Sequence, residues 1–472
     1  MVKQVSFGVK SAYGMGVSLL SVKNMLFHFF FLYFFANVMG VSELSIVAAT
    51  MIALIIDAVT DPVMGQISDN SRSERWGRRH QYMLWGIVPT MVALYFLFTP
   101  PLGLGQTGLF LWMLGFLLIV RIGLTVYGVP YLSLGAELST DYDERTSIMS
   151  MREFFNNFFA LSVFIIGLLV FLPETPEFED GMMNRAGYGP FVMTMTIIGG
   201  LGALIAAFGT KHKIPSLRRY ENDTRTHWTQ TFAQIKIAAT IRPFLWLCAG
   251  YCLVLILYGA SSALSFYHGG YLWKFTQVQK FFVALAPMLM LIPAVILSAA
   301  LSKWLDKKPA ICVFALLYFM AGALPYCLYL LGIAPALGSD ALLILVAGLN
   351  ALAFTGLFGV LVIANSMLAD LVDVMELRTG KRQEGVLSAA FSFAQKLTFI
   401  FGTLIASLSL LAIQFPKQTD PSQVAQGVID GLAVVSIIMG VILTVAALGC
   451  FLRYGLNRAE LETIQAKVEI AR

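Results

Sequence analysis

Charge is scarce in this chain. Of its 472 residues only 12% are Asp, Glu, Lys or Arg, and 58% are hydrophobic. A water-soluble domain carries about 25% charged residues, because water must wet its outside. This scarcity excludes a soluble globular protein, and the mean hydropathy of +0.77 agrees. Cysteine is sparse too. Cys248, Cys252, Cys312, Cys327 and Cys450 all lie in apolar stretches without paired loop spacing, which excludes a disulfide framework or a zinc site and leaves packed thiols. A glycine loop running into Lys-Ser/Thr is missing, which argues against ATP-driven chemistry. With no catalytic constellation, neither an enzyme nor a cofactor is expected. The net charge of +5 sits in a few short loops, so it bears on membrane orientation rather than on nucleic acid.

What the chain has in abundance is long apolar runs. A helix of about 20 apolar residues crosses the hydrocarbon core of a bilayer. By that criterion the sequence predicts an all-α membrane protein with about twelve transmembrane helices. The expected spans are 13–38, 45–67, 82–99, 108–130, 149–172 and 191–208, then 244–266, 281–302, 311–332, 341–364, 386–413 and 428–451. The long polar segment from Thr210 to Arg242 divides them. The expected organisation is a six-helix bundle over 1–209, a linker over 210–243, a second six-helix bundle over 244–452 and a tail over 453–472. Met1 to Ser11 carries Lys3 and Lys10 and leads into a span too long for a signal peptide, so no leader is expected to be removed.

Alternate loops are basic. Arg72, Arg75, Arg78 and Arg79 follow the second span, and Arg145 follows the fourth. Lys303, Lys307 and Lys308 follow the eighth, Arg378, Lys381 and Arg382 the tenth, and Arg453 and Arg458 the last. The opposite loops are neutral or acidic, as at Glu174, Glu177, Glu179 and Asp180. The positive-inside rule then predicts both termini in the cytoplasm of a plasma membrane, which in a bacterium is the inner membrane. The halves echo each other weakly. Span two runs into an Asp- and Arg-containing turn, and span eight ends the same way at Ser302 to Lys308. Related six-helix halves place a substrate between them near the midplane.

Asp57 and Asp61 are the strongest local signal. They lie well inside span two, four residues apart, so a helix puts both on one face. At the bilayer centre each would cost at least about 2.5–3.5 kcal/mol on insertion scales. They must therefore meet a cavity, a cation or a basic partner. Beside Thr60 they offer hard oxygens suited to Na⁺, while crowded carboxylates also suit a proton. A structural salt bridge inside the bundle is the plainer alternative. Lys23, Arg121, Arg152 and Lys396 are the basic candidates for the interior. Arg121 and Lys396 lean towards function, whereas Lys23 and Arg152 lie nearer span ends, where such side chains also snorkel. Arg121 could see substrate, or could pair only with Asp57, Asp61 or Glu137.

The loop from Asp69 to Arg79 carries Asp69, Arg72, Arg75, Arg78 and Arg79, which could bridge helix ends as a cytoplasmic gate or serve simply as orienting charge. Pro62, Pro130 and Pro293 are each expected to free a backbone carbonyl. The Phe-rich stretch from Phe27 to Phe35 is expected to face lipid rather than to stack on a sugar. His28 could relay protons, although a lone histidine is more often just hydrogen-bonded.

Several motifs together resemble one family. Tyr13-Gly14-Met15-Gly16 opens span one. Asp57-Ala58-Val59-Thr60-Asp61-Pro62-Val63-Met64-Gly65 lies in span two, ahead of Arg75-Trp76-Gly77-Arg78-Arg79. Val129-Pro130-Tyr131, Gly135-Ala136-Glu137-Leu138 and Asp143-Glu144-Arg145 follow, with Asp370-Leu371-Val372-Asp373 before span eleven. Over nearly the whole chain this resembles the glycoside–pentoside–hexuronide:cation symporters, the group of the melibiose permease, in the major facilitator superfamily. The resemblance implies the major facilitator fold and alternating access. It implies that Asp57 and Asp61 bind the coupling Na⁺, Li⁺ or H⁺ with help from Thr125, and that Arg152 and Lys396 lie near the cation and sugar sites. It also marks departures. Ser21 and Gly128 stand where the family's sugar-gripping aspartates would be, near Tyr127, and Lys23 and Arg121 are added. A sugar, glycoside or uronide is the implied substrate. An anionic amphiphile such as a lysophospholipid, and an uncoupled facilitator, stay open as alternatives. The expected partners are thus a small-molecule substrate, a coupling cation and the lipid bilayer, with no nucleic acid and a monomeric chain.

Overall fold

The computed structural model describes residues 5–71, 73, 76–139, 141–216, 240–379, 384–456, 460–461 and 463–464. Among them the regular structure is helical, apart from a lone bridge between Thr175 and Phe178. It divides into two compact units. One is Met1–Thr224 with Pro416–Asp420, and the other is Arg225–Phe415 with Pro421–Arg472. Most of the expected linker lies outside the described residues.

The first unit begins with α1 (Phe7–Met15) and α2 (Ser18–Met25), followed by wider π turns over Leu26–Phe30 and Tyr33–Val38. Then come α3 (Glu43–Asp69), α4 (Gly77–Leu97), α5 (Gln106–Glu137), α6 (Tyr142–Phe164), running on through Ile165–Phe171, and α7 (Arg185–Gly209). The second unit holds α8 (Arg242–Tyr267), extended by His268–Leu272, then α9 (Gln277–Leu289), α10 (Leu291–Leu305), α11 (Lys307–Leu330), α12 (Asp340–Thr379), α13 (Glu384–Ala412) and α14 (Gln426–Leu452). Among the described residues, 9 helices are long and apolar enough to cross a membrane. At the other expected spans, 13–38, 82–99 and 386–413, helix is also found; the first is interrupted at Gly16 and Val17.

Polar residues set the helix starts. Ser42 accepts a hydrogen bond from the Ser45 amide at 3.2 Å, Asp141 from Glu144 at 2.9 Å and Asn184 from Ala186 at 3.1 Å. Thr276 and Gln279 form a reciprocal capping box. Once started, the helices satisfy their own backbone, which hydrocarbon demands. Their outward faces are apolar and open: on α3, Ile55 is 64% and Val59 57% exposed.

One expectation needs correction. The Phe-rich stretch turns inward: Phe27, Phe30, Phe31, Phe34 and Phe35 are all buried within the first unit. Phe34 packs on Tyr188 with ring centroids 4.6 Å apart, and Phe30 on Phe191 at 5.2 Å. The π turns shift the helical register, so rings spaced for several faces reach the interior. Pro293 cannot donate to the Leu289 carbonyl four residues back, and the span Gln277–Leu305 breaks at Met290, between α9 and α10, as that loss predicts. Pro62 and Pro130 do lie inside α3 and α5, and both helices continue through them.

Glycine sets how closely α4 approaches α5. A Cβ on Gly86 would stand 2.7 Å from the Gly123 carbonyl oxygen and 2.7 Å from the Tyr127 amide nitrogen. Both are backbone atoms and cannot rotate away. Gly86→Val should therefore cost about 1–3 kcal/mol by overpacking, read as a lowered thermal midpoint in detergent. Gly115→Val on the exposed side of α5, with nothing within 4 Å, should leave the midpoint nearly unchanged; equal losses from both would show that close approach is not what Gly86 provides.

Candidate functional site

The intramembrane acids face α5. α3 and α5 run in the same direction, so a one-turn step on one is matched by a one-turn step on the other. Arg121 Nη1 donates to Asp57 Oδ2 at 2.6 Å, and one turn on, Thr125 Oγ1 donates to Asp61 Oδ1 at 2.7 Å. The Asp57 and Arg121 side chains are only 16% and 11% exposed. The i, i+4 spacing of both pairs produces two stacked rungs between the helices. Thr60, between the acids, has a buried hydroxyl oxygen without a hydrogen-bond partner.

A cationic flank adjoins the upper rung. Arg121 Cζ lies 5.7 Å from the centre of the Phe27 ring, and Lys23 Nζ lies 5.8 Å from it. Phe27 thus lies within about 6 Å of two positive groups, one from α2 and one from α5. Sequence reasoning did not single out Phe27 for this role, although it follows Lys23 by one helical turn.

The other substrate candidates are engaged elsewhere. The Tyr127 hydroxyl donates to the Gly16 carbonyl at 2.5 Å, and its fully buried ring stacks on Tyr131 at 5.6 Å. Ser21 donates to the Asn156 carbonyl at 2.8 Å and is buried. Gly128 packs against Leu20, whose Cδ2 would be 3.3 Å from an added Cβ. Arg152 on α6 pairs with its neighbour Glu153 at 2.6 Å. Packing thus removes Tyr127, Ser21 and Gly128 from the two rungs, because their polar atoms and surfaces are taken up between helices. Lys396 belongs to α13, but its side chain is outside the described residues.

Of the gate candidates, Arg72 and Arg75 and the Asp69 side chain lie outside the described residues. Arg78 and Arg79, at the start of α4, converge on Glu137 at the end of α5. Arg78 Nη2 is 2.8 Å from Glu137 Oε1, which also accepts from Arg79 Nε at 3.0 Å and Nη2 at 2.9 Å. Arg79 Nη1 reaches Ser68 Oγ on α3 at 2.6 Å. The cluster joins three helices of one unit. The second unit repeats the pattern: Lys307, first residue of α11, reaches Asp370 late in α12 at 2.6 Å. The weak echo read in the sequence therefore has a structural counterpart, a basic residue opening one helix and tied to an acid near the end of the next.

The match to a transporter family and to symporter relatives gives the class of this two-unit helical membrane protein, a secondary transporter. The chain belongs to the MFS/sugar transport protein family, whose model matches residues 12–458. It is 26% identical to an uncharacterized symporter of Synechocystis sp., over 88% of this chain and 87% of that one. It is 25% identical to the lactose permease of Leuconostoc lactis, over 78% of this chain and 55% of that longer one. It is 23% identical to the isoprimeverose transporter of Lactiplantibacillus pentosus, over 81% and 75% of the two chains. Among solved structures, a D-xylose–proton symporter superposes with a TM-score of 0.60 at 14% identity, over 93% of this chain and 97% of that one. This likeness carries the fold, the major facilitator fold. The protein is an integral membrane transporter of the symporter type for a small molecule, and not an enzyme.

Glu137 is the common acceptor for two guanidinium groups, and its other oxygen, Oε2, is buried without a hydrogen-bond partner. Glu137→Ala should remove the acceptor that Arg78 and Arg79 share. Breaking a buried pair costs about 3–5 kcal/mol, and the partial exposure of Arg78 places the expected loss at or below the low end. Thermal unfolding of the purified variant checks this; an unchanged midpoint would show that the cluster does not hold α3, α4 and α5 together.

Proposed function

We propose that the chain is a cation-coupled symporter of a sugar, glycoside or uronide, working by alternating access. Asp57 and Asp61 supply the charge that holds the coupling cation, Na⁺ or H⁺, and the hydroxyls of Thr60 and Thr125 assist. The observation that carries this reading is the double rung: two carboxylates one helical turn apart, held inside a membrane bundle. An intramembrane acid is expensive, and two on one face mark an ion site by default. An uncoupled facilitator would have no use for them. The similarity to a lactose permease and an isoprimeverose transporter supports a saccharide as the class of solute.

The flank of Lys23 and Arg121 around Phe27 favours a substrate with an anionic or strongly hydrogen-bonding group, such as a uronide, over a plain galactoside. An anionic amphiphile meets the same demand and is the second reading. Arg152 and Lys396 remain candidates on the substrate side. The alternately basic loops support cytoplasmic termini in the bacterial inner membrane, with Arg78, Arg79 and Glu137 near the cytoplasmic gate. A monomer suffices for this cycle.

In proteoliposomes under an imposed Na⁺ or proton gradient, at least one of lactose, isoprimeverose and methyl glucuronide should accumulate above its outside concentration. Asp57→Asn and Asp61→Asn should each let the solute only equilibrate, because an amide keeps the shape and loses the charge. Wild-type accumulation by either variant removes that residue from coupling. Uptake of lysophosphatidylcholine in place of all three sugars would select the second reading.

A further inference from the structure

Two arginine–carboxylate pairs in the first unit differ in how completely they are made. Arg79 uses Nε, Nη1 and Nη2, placing two bonds on Glu137 and one on Ser68. All three of its nitrogens are committed, as expected of a structural clasp. Arg121 makes one hydrogen bond, from Nη1 to Asp57. Its Nε is buried without a hydrogen-bond partner, and so is the hydroxyl of Thr60, three residues on from Asp57 in α3. A guanidinium that closed the site permanently would engage the carboxylate with two prongs, and buried donors left idle are costly. The single-pronged contact leaves Arg121 able to move and leaves polar atoms waiting for another partner.

We propose that Arg121 is a tethered cation at Asp57, which a monovalent metal ion must displace before it can bind between the two carboxylates. The inference rests on the reading of Asp57 and Asp61 as the ion site and deepens it. The guanidinium nitrogen stands 2.6 Å from Asp57 Oδ2, where an incoming ion would itself have to sit. Two full positive charges cannot share that oxygen in a site only 11% to 16% exposed. Asp61 differs, since it receives a neutral hydroxyl from Thr125, which can turn to offer its lone pairs to a metal. Asp57 therefore admits an ion only when Arg121 leaves. The departing guanidinium stays near Phe27 and Lys23. Ion entry thereby adds to the positive flank there, which links ion binding to the seating of an anionic group. Arg121 is thus a specificity-determining residue: it sets how tightly Na⁺ or Li⁺ is held.

The test needs no transported solute. Purified full-length protein in detergent is titrated with NaCl or LiCl against choline chloride at constant ionic strength, and the thermal midpoint is followed. Arg121→Gln should tighten the apparent Kd for Na⁺ by about tenfold or more, equivalent to about 1.4 kcal/mol. Arg121→Lys should stay near wild type, since it keeps the charge. Asp57→Asn added to Arg121→Gln should remove the gain. A Na⁺ response in Arg121→Gln equal to or weaker than wild type overturns the inference, as does an equal gain in Arg121→Lys. If Arg121→Gln fails to fold, wild type carries the test: Na⁺ should raise phenylglyoxal labelling of Arg121, read on its peptide by mass spectrometry. Labelling unchanged or lowered by saturating Na⁺ would overturn the proposal. The proteoliposome assay with Asp61→Asn reads coupling separately, so a failed competition leaves the symport reading standing, and failed accumulation with successful competition sinks only the latter.

Discussion

An ionised side chain inside a hydrocarbon layer must be paired, hydrated or bound to an ion, because lipid offers it nothing. That constraint organises the first unit. α3 presents Asp57 and Asp61 to α5, where Arg121 and Thr125 meet them at the same helical interval. The parallel course of the two helices is what aligns the rungs. The opposite face of α3, with Ile55 and Val59, is left to lipid. The direction in which α3 faces is therefore set by charge on one side and hydrocarbon on the other.

The same constraint separates two uses of arginine. At one end of the unit, Arg78 and Arg79 close on Glu137 and tie α3, α4 and α5 together. Deeper in, Arg121 touches Asp57 at a single point and retains an idle buried donor. A clasp gains from having every donor engaged, whereas an element that must exchange partners gains from incomplete engagement, since its release then costs less. The repetition of the end clasp as Lys307 and Asp370 in the second unit fits a chain built of two related halves.

Much of the fold was readable along the chain. Apolar runs long enough to span marked the helices, and the position of the polar segment marked the division. Asp57 and Asp61 were legible as a pair because four residues make one helical turn. Arg121 was legible as unusual, but its partner was not: Asp57, Asp61 and Glu137 were equal choices in one dimension. The Phe-rich stretch was misread for a related reason. In a membrane protein both lipid and core are apolar, so hydrophobicity alone cannot tell which way a ring points. Tyr127, Ser21 and Gly128 were legible as substrate candidates only through the family resemblance; the structure adds that Tyr127 and Ser21 donate to backbone carbonyls and that Gly128 packs on Leu20.

By itself the sequence determined that this chain crosses a membrane many times as helices, that it carries two carboxylates on one face of its second span, and that it resembles the cation symporters of the major facilitator type. These properties depend on composition and on short-range spacing, which helical geometry translates directly into position. Only the tertiary structure decided that Arg121 answers Asp57, that Thr125 answers Asp61, that Phe27 lies near both Lys23 and Arg121, and that Glu137 belongs to the end clasp. Each of these joins residues of different helices, tens of residues apart, and the choice among them is made by how the helices rotate and close on one another.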